Sequence, residues 1–146
     1  VFALKSGGTK ITEADALSHI YGCAAGLDMT RRDLQNKAKE NRKPWDTAKD
    51  VDESAVITPL RQMSEVPSVA SGRIHLSQNG TVKQDADLSE MVWSVPEIIA
   101  DLSTMYTLQQ GDVIYMGTPA GVGAVSRGDV LAGGVEGIGD FEVKIA

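Results

Sequence analysis

Polar and apolar positions fall into short blocks punctuated by glycine, proline and Asn-Gly, and the first block, Val1 to Lys5, is an apolar run closed by the turn-forming Ser6-Gly7-Gly8. It reads as the end of a strand. Thr12 with Asp15 three residues on marks a helix start, and Ala14, Leu17, Ile20 and Tyr21 give that helix a short apolar stripe. Tyr21 to Met29 is small and apolar, the composition of a buried strand, and it delivers a carboxylate, Asp28, at its end. Thr30 is placed to cap a second helix running to Lys39, with Leu34 and Ala38 at helical spacing; Pro44 stops it, and Lys43 to Asp52 reads as a polar loop. Beyond Ala55 the signals turn to β structure. Ala55 to Leu60 is a short strand, and Arg73 to Ser77 and Thr81 to Gln84 flank Gln78-Asn79-Gly80, whose Asn-Gly pair is the strongest short hairpin signal. Ser94-Val95-Pro96-Glu97 is a capping box with proline in the first turn, followed by Ile98, Ile99, Leu102 and Met105 on one helical face. Gly111 to Gly117 is a further strand, Thr118 to Gly123 a glycine-rich loop, and Val130 to Glu136 and Asp140 to Ile145 a closing strand pair around Gly137-Ile138-Gly139. Strands outnumber helices, and no repeat or linker interrupts the chain. The expectation is a single α+β domain spanning residues 1–146, its mixed β-strands rolled into a sandwich with a few peripheral helices, Val95 to Met105 the longest or second longest.

Composition narrows the functional classes. Fourteen basic against 20 acidic side chains leave a net charge of −6, the wrong sign for a surface that neutralises phosphates, so no nucleic-acid partner is expected. Apolar residues make up 42% of the chain and charged ones 23%, a globular balance, and no stretch approaches the roughly 20 apolar residues of a membrane helix. No membrane partner is expected. The single cysteine, Cys23, reads as a core residue and fits a reducing, cytoplasmic setting. The isolated His19 and His75 have no zinc-ligand spacing.

Three segments carry side chains suited to chemistry. In Gly26 to Gln35 an apolar strand hands over to a helix on which Arg31 and Gln35, Arg32 and Asn36, and Arg32 and Gln35 are neighbours, so that a cation and an amide can face one pocket, although a polar helix face of this kind is more often simply solvated. Thr118 to Gly123 follows Gly117 and offers backbone amides and the Thr118 hydroxyl to a carboxylate or oxyanion, although such a loop also serves simply as a turn; it lacks the lysine and spacing of a nucleotide-binding loop. Lys49, in Trp45-Asp46-Thr47-Ala48-Lys49-Asp50, is the third, a cation in an otherwise solvated loop.

Taken in order, GLDMTRRDLQ, KPWDTAKD, the Asn-Gly hairpin with QDADLSEMVWSVPEIIADLS, and GDVIYMGTPAGVG resemble the fumarylacetoacetate hydrolase family, in particular its acylpyruvase branch, which cleaves substrates such as fumarylpyruvate. The resemblance implies a hydrolase acting on a carbon–carbon bond of a small keto acid, a Mg²⁺ or Mn²⁺ cofactor and a homodimer. It places Asp28 as a metal ligand, Lys49 and Arg32 as catalytic cations, and Gln35, Thr118 and Gly117 at the substrate. Two further glutamate ligands that the family carries in a Glu-x-Glu strand have no counterpart here, since Val1-Phe2-Ala3-Leu4-Lys5 holds no acid. The expectation is therefore a chain truncated at its amino terminus, or else an impaired one. Oxaloacetate decarboxylation and isomerisation of a hydroxymuconate-type substrate are alternative reactions on the same scaffold, and a catalytically inactive small-acid-binding or assembly module is the non-enzymatic alternative.

Overall fold

The computed structural model describes residues 1–146, which divide into two compact units. The larger comprises Val1–Ala25 and Thr58–Ala146, the smaller Gly26–Ile57. The fold is α+β with antiparallel sheets and few helices.

In the larger unit one four-stranded sheet is built from β1 (Phe2–Leu4), β2 (Ile20–Cys23), β5 (Arg61–Gln62) and β8 (Val113–Ile114), in the order β5-β2-β1-β8. A second joins β6 (Arg73–Gln78), β7 (Thr81–Asp87), β9 (Val130–Val135) and β10 (Gly139–Lys144), in the order β10-β9-β6-β7. The β6–β7 hairpin turns on Asn79 and Gly80, both with positive φ (52° and 79°), the conformation a two-residue turn needs to match strand twist. Helix α4 (Val95–Met105) is the longest helix at 11 residues. It starts as its sequence predicts: the Ser94 hydroxyl accepts from the Glu97 amide and the Glu97 carboxylate accepts from the Ser94 amide. The core gathers Phe2, Leu4, Ile20 and Cys23 from the first sheet, Val95 and Ile99 from α4, and Val135 and Ile138 from the β9–β10 hairpin. Cys23 is fully buried there, and burial pushes its thiol pKa up, as suits a packing residue. Short α1 (Glu13–Ala16), capped by Thr12, is tied to α4 through Ser103, whose buried hydroxyl accepts from the Ile11 amide at 2.8 Å.

The smaller unit contains one antiparallel pair, β3 (Gly26–Asp28) with β4 (Ala55–Ile57), and two helices, α2 (Arg32–Glu40) and α3 (Asp46–Lys49). No helix of the chain is long and apolar enough to cross a membrane.

Five elements depart from the sequence pattern. The helix that starts at Thr12 ends at Ala16 and tightens into a single turn over Leu17–His19, so Ile20 and Tyr21 lie in β2 and not on the helix face. The apolar run Tyr21 to Met29 is divided between β2 and β3, with Ala24 and Ala25 leaving the ladder and Tyr21 exposed. Ala55 to Leu60 stops pairing as β4 after Ile57; Thr58 bonds to Ala25 instead, and Pro59 has no N–H to extend a ladder. Of Gly111 to Gly117 only Val113 and Ile114 pair, because their neighbour β1 is itself three residues long. The expected loop from Lys43 to Asp52 includes the helical turn α3, which buries Ala48 completely.

Candidate active site

In the smaller unit, pairing of β3 with β4 sets Asp28 opposite Ala55 at the last position of the strand. The α3 turn ends on Lys49, and its ammonium donates to Asp28 Oδ2 at 2.6 Å and to Thr30 Oγ1 at 2.8 Å. Two residues, Asp28 and Thr30, thus share one cation that lies 21 and 19 positions away in the chain. The side chains of Lys49 and Asp28 retain 34% and 53% of their exposure, so the pair stabilises the unit by no more than about 1 kcal/mol. Its consequence is positional: the ammonium is fixed beside a carboxylate that still faces solvent.

Thr30 does not cap α2 as its sequence position suggests. The helix begins at Arg32, Arg31 occupies the cap position without a side-chain hydrogen bond, and the Thr30 hydroxyl is taken by Lys49. Of the cation–amide pairs available at helical spacing, Arg32 and Gln35 meet: Arg32 Nη1 donates to Gln35 Oε1 at 2.6 Å. Gln35 is buried, so its amide oxygen is committed to the guanidinium. Arg31, outside the helix, instead joins the segment to α3 through its amide, which donates to the Ala48 carbonyl. A cation–π contact, Lys39 Nζ 4.8 Å from the Trp45 ring centroid, also fastens α2 to the start of α3.

Gly117 and Thr118 belong to the larger unit. Gly117 has φ 135° and open space where a Cβ would stand, so the backbone there is accessible to a ligand. Exposed Thr118 accepts a hydrogen bond at 2.8 Å from the amide of Gln84 on β7, a buried residue that also donates to the Pro119 carbonyl at 2.8 Å. Gly121, with φ 103°, lies so close to β7 that a Cβ would overlap the Lys83 carbonyl oxygen. The loop is therefore held against the strand on both sides of Ala120.

As a metal site the residues are incomplete. No group of three or more histidine, cysteine, aspartate or glutamate side chains is arranged to hold an ion, and Asp28 offers a single carboxylate whose Oδ2 already accepts from Lys49. Hard divalent cations take six or more oxygens, several of them anionic in a tight site. These residues could supply one ligand but do not by themselves form a metal centre.

A profile of the family described as "Fumarylacetoacetate (FAA) hydrolase C-terminal" matches residues 1–146. The chain belongs to the fumarylacetoacetate hydrolase family. It is 49% identical over 145 residues to fumarylpyruvate hydrolase of Ralstonia sp, covering 99% of this chain and 75% of that protein. It is 36% identical over 138 residues to the mitochondrial oxaloacetate tautomerase FAHD1 of Rattus norvegicus, covering 94% of this chain and 62% of the relative. Among solved structures, fumarylpyruvate hydrolase from Pseudomonas aeruginosa in complex with Mn²⁺ and pyruvate superposes with a TM-score of 0.96 at 40% identity, over 99% of this chain and 62% of that one. The chain thus spans between about three fifths and three quarters of the length of these relatives.

Within this fumarylacetoacetate hydrolase-family chain, two polar residues escaped the sequence reading. Thr30 was legible only as a helix cap, because its partner Lys49 lies 19 residues away. Gln84 carries a faint signal, a lone buried amide within the polar strand TVKQDAD, but its role appears only once Thr118 is seen against it.

Proposed function

We propose that the chain carries catalytic residues of an acylpyruvate hydrolase, acting on a substrate of the fumarylpyruvate type and releasing pyruvate and a second carboxylic acid. The observation that carries this reading is the Lys49 ammonium held between Asp28 and Thr30 at 2.6 and 2.8 Å, in a chain 49% identical to the Ralstonia fumarylpyruvate hydrolase. In such a hydrolysis the bond between the acyl carbon and C3 of the pyruvate moiety breaks. Water supplies hydroxide to the acyl carbon, and C3 leaves as the carbon end of an enolate, which then takes a proton. Negative charge grows on the departing pyruvate oxygens, and fixed cations stabilise it because they need no reorganisation as the charge develops. Lys49 and Arg32 are the cations we assign to this task, Arg32 being steadied by buried Gln35. Thr118 and the backbone following Gly117 are assigned to the substrate carboxylate.

Asp28 is assigned as one oxygen ligand of a divalent cation, Mg²⁺ or Mn²⁺. With that single carboxylate, the 146-residue chain is expected to bind either ion weakly and to turn over slowly. A homodimer and a cytoplasmic setting complete the proposal, supported by the family resemblance and by a lone, buried cysteine. The test is pyruvate release from fumarylpyruvate with Mn²⁺ present, made in a chain that also carries the family's two further glutamate ligands, comparing that parent with Asp28→Ala and Lys49→Met; the 146-residue chain alone should release pyruvate slowly or not at all. Asp28→Ala should abolish metal-dependent release. Lys49→Met should lower the rate by a hundredfold or so, the scale for losing one preorganised charge stabiliser, with a smaller change in Mn²⁺ affinity. Unchanged release by both variants would refute the assignment. Similarity to the rat oxaloacetate tautomerase supports a second reading, enol–keto interconversion of oxaloacetate through the same fixed cations. Loss of enol absorbance without pyruvate release separates it from hydrolysis.

A further inference from the structure

Gln84 is the one buried residue of β7, and burying a primary amide is costly unless its hydrogen bonds are made. Both recorded bonds go to the loop after Gly117. The Pro119 carbonyl oxygen can only accept, so the Gln84 atom 2.8 Å from it must be the amide nitrogen. That nitrogen also lies 2.8 Å from Thr118 Oγ1, and its second proton is directed there. The Pro119 contact therefore fixes the polarity of the Thr118 contact: the threonine oxygen accepts. A hydroxyl whose lone pair faces an N–H cannot aim its own proton along the same line, and no other group of the protein takes that proton. Thr118 is exposed, so an oxygen anion approaching from solvent meets a hydroxyl already turned to donate. The lack of a side chain at Gly121 lets the loop lie this close to β7.

We infer that Gln84 is a positioning residue that fixes the Thr118 hydroxyl as a hydrogen-bond donor to the carboxylate of the α-keto acid. The inference rests on the assignment of Thr118 to that carboxylate made above, and deepens it. Without Gln84 the hydroxyl samples all its staggered orientations and must be ordered by the ligand at the ligand's expense.

Pyruvate is the probe, titrated into the ¹⁵N-labelled chain and followed by amide shifts. Thr118→Val should weaken its binding about tenfold or more, as for a lost hydrogen bond to a charged group. Gln84→Met, close in volume but without the donor, should weaken it about three- to tenfold. The double variant should be no more than about twofold weaker than Thr118→Val alone, because Gln84 has nothing left to position. A Gln84→Met effect that persists undiminished in the Thr118→Val background, or no effect at all, would overturn the inference and leave the Thr118 assignment standing. Undiminished binding by Thr118→Val overturns that assignment together with the inference, a pattern distinct from failure at Gln84 alone. A measurement that leaves Gln84 intact guards against misfolding at that position. In the ligand-free protein, Thr118→Val should shift one of the two Gln84 side-chain amide protons and spare the one bonded to Pro119. Shifts of both, or of neither, would contradict the geometry.

Discussion

Replacing Gly121 with alanine tests how firmly the loop after Gly117 is built onto β7. Gly121 has φ 103°, and an added Cβ would overlap the Lys83 carbonyl oxygen and come within 3.2 Å of Gln84 Cγ. The carbonyl is backbone of β7 at a bulge: Lys83 itself has no partner on β6, but Val82 and Gln84 on either side are paired, so it cannot move aside cheaply. Two costs follow. Holding alanine in this backbone region costs about 1–3 kcal/mol. Relieving the overlap by lifting the loop instead breaks the bonds from Gln84 to Thr118 and Pro119, each worth about 0.5–1.5 kcal/mol net. The chain takes whichever mixture is cheaper, and about 2–4 kcal/mol of lost stability is expected. For a chain of this length that corresponds to a fall in Tm of roughly 5–15 °C. Gly123→Ala, two residues on, is the control: nothing lies within 4 Å of its Cβ position and its φ is not positive, so it should stay within about 0.5 kcal/mol of the parent. Calorimetric unfolding of both variants, with pyruvate titration alongside, reads the stability and the ligand consequence together. Equal stability of the two variants would refute the argument, since it would mean that the loop is not seated on Lys83 and Gln84.

Ser103→Ala should cost about 1–3 kcal/mol in urea unfolding, because it leaves the buried Ile11 N–H without an acceptor; a loss below about 0.5 kcal/mol would show that another acceptor takes its place. Acid sensitivity follows from four carboxylates whose pKa values are held below the ordinary range: Asp85 by Arg73, Asp87 by Ser89, Glu97 by Ser94, and Asp129 by the Ser126 amide with Asn79 and Gln78. Because their folded values lie below the unfolded ones, their stabilisation is complete above the unfolded carboxylate pKa of about 4 and is lost as pH falls through the folded values. Tm should therefore be level between about pH 5 and 7 and drop below about pH 4; a Tm that rises on acidification would contradict the assignment.

Where a structural choice is local, the residues decide it. Asn79-Gly80 can take positive φ at both positions at low cost, and the hairpin forms there; Ser94 and Glu97 satisfy each other's backbone donors, and α4 starts there. The family was likewise legible, through four motifs in family order. Choices that depend on a partner distant in sequence were not legible. Tyr21 to Met29 reads as one strand because its composition is uniform, yet β2 and β3 find different neighbours, β1 with β5 and β4 respectively. Thr30 has the residue type of a helix cap, but a hydroxyl can satisfy an ammonium as readily as a backbone amide, and only the fold brings Lys49 within 2.8 Å. Gln84 looked like any polar strand residue until the loop was placed over it. Periodicity and capping report the chain's interactions with itself over a few residues. Hydrogen-bond pairing between distant segments, which fixes the Lys49 ammonium on Asp28 and turns the Thr118 hydroxyl outward, is settled only when tertiary structure brings the donors and acceptors together.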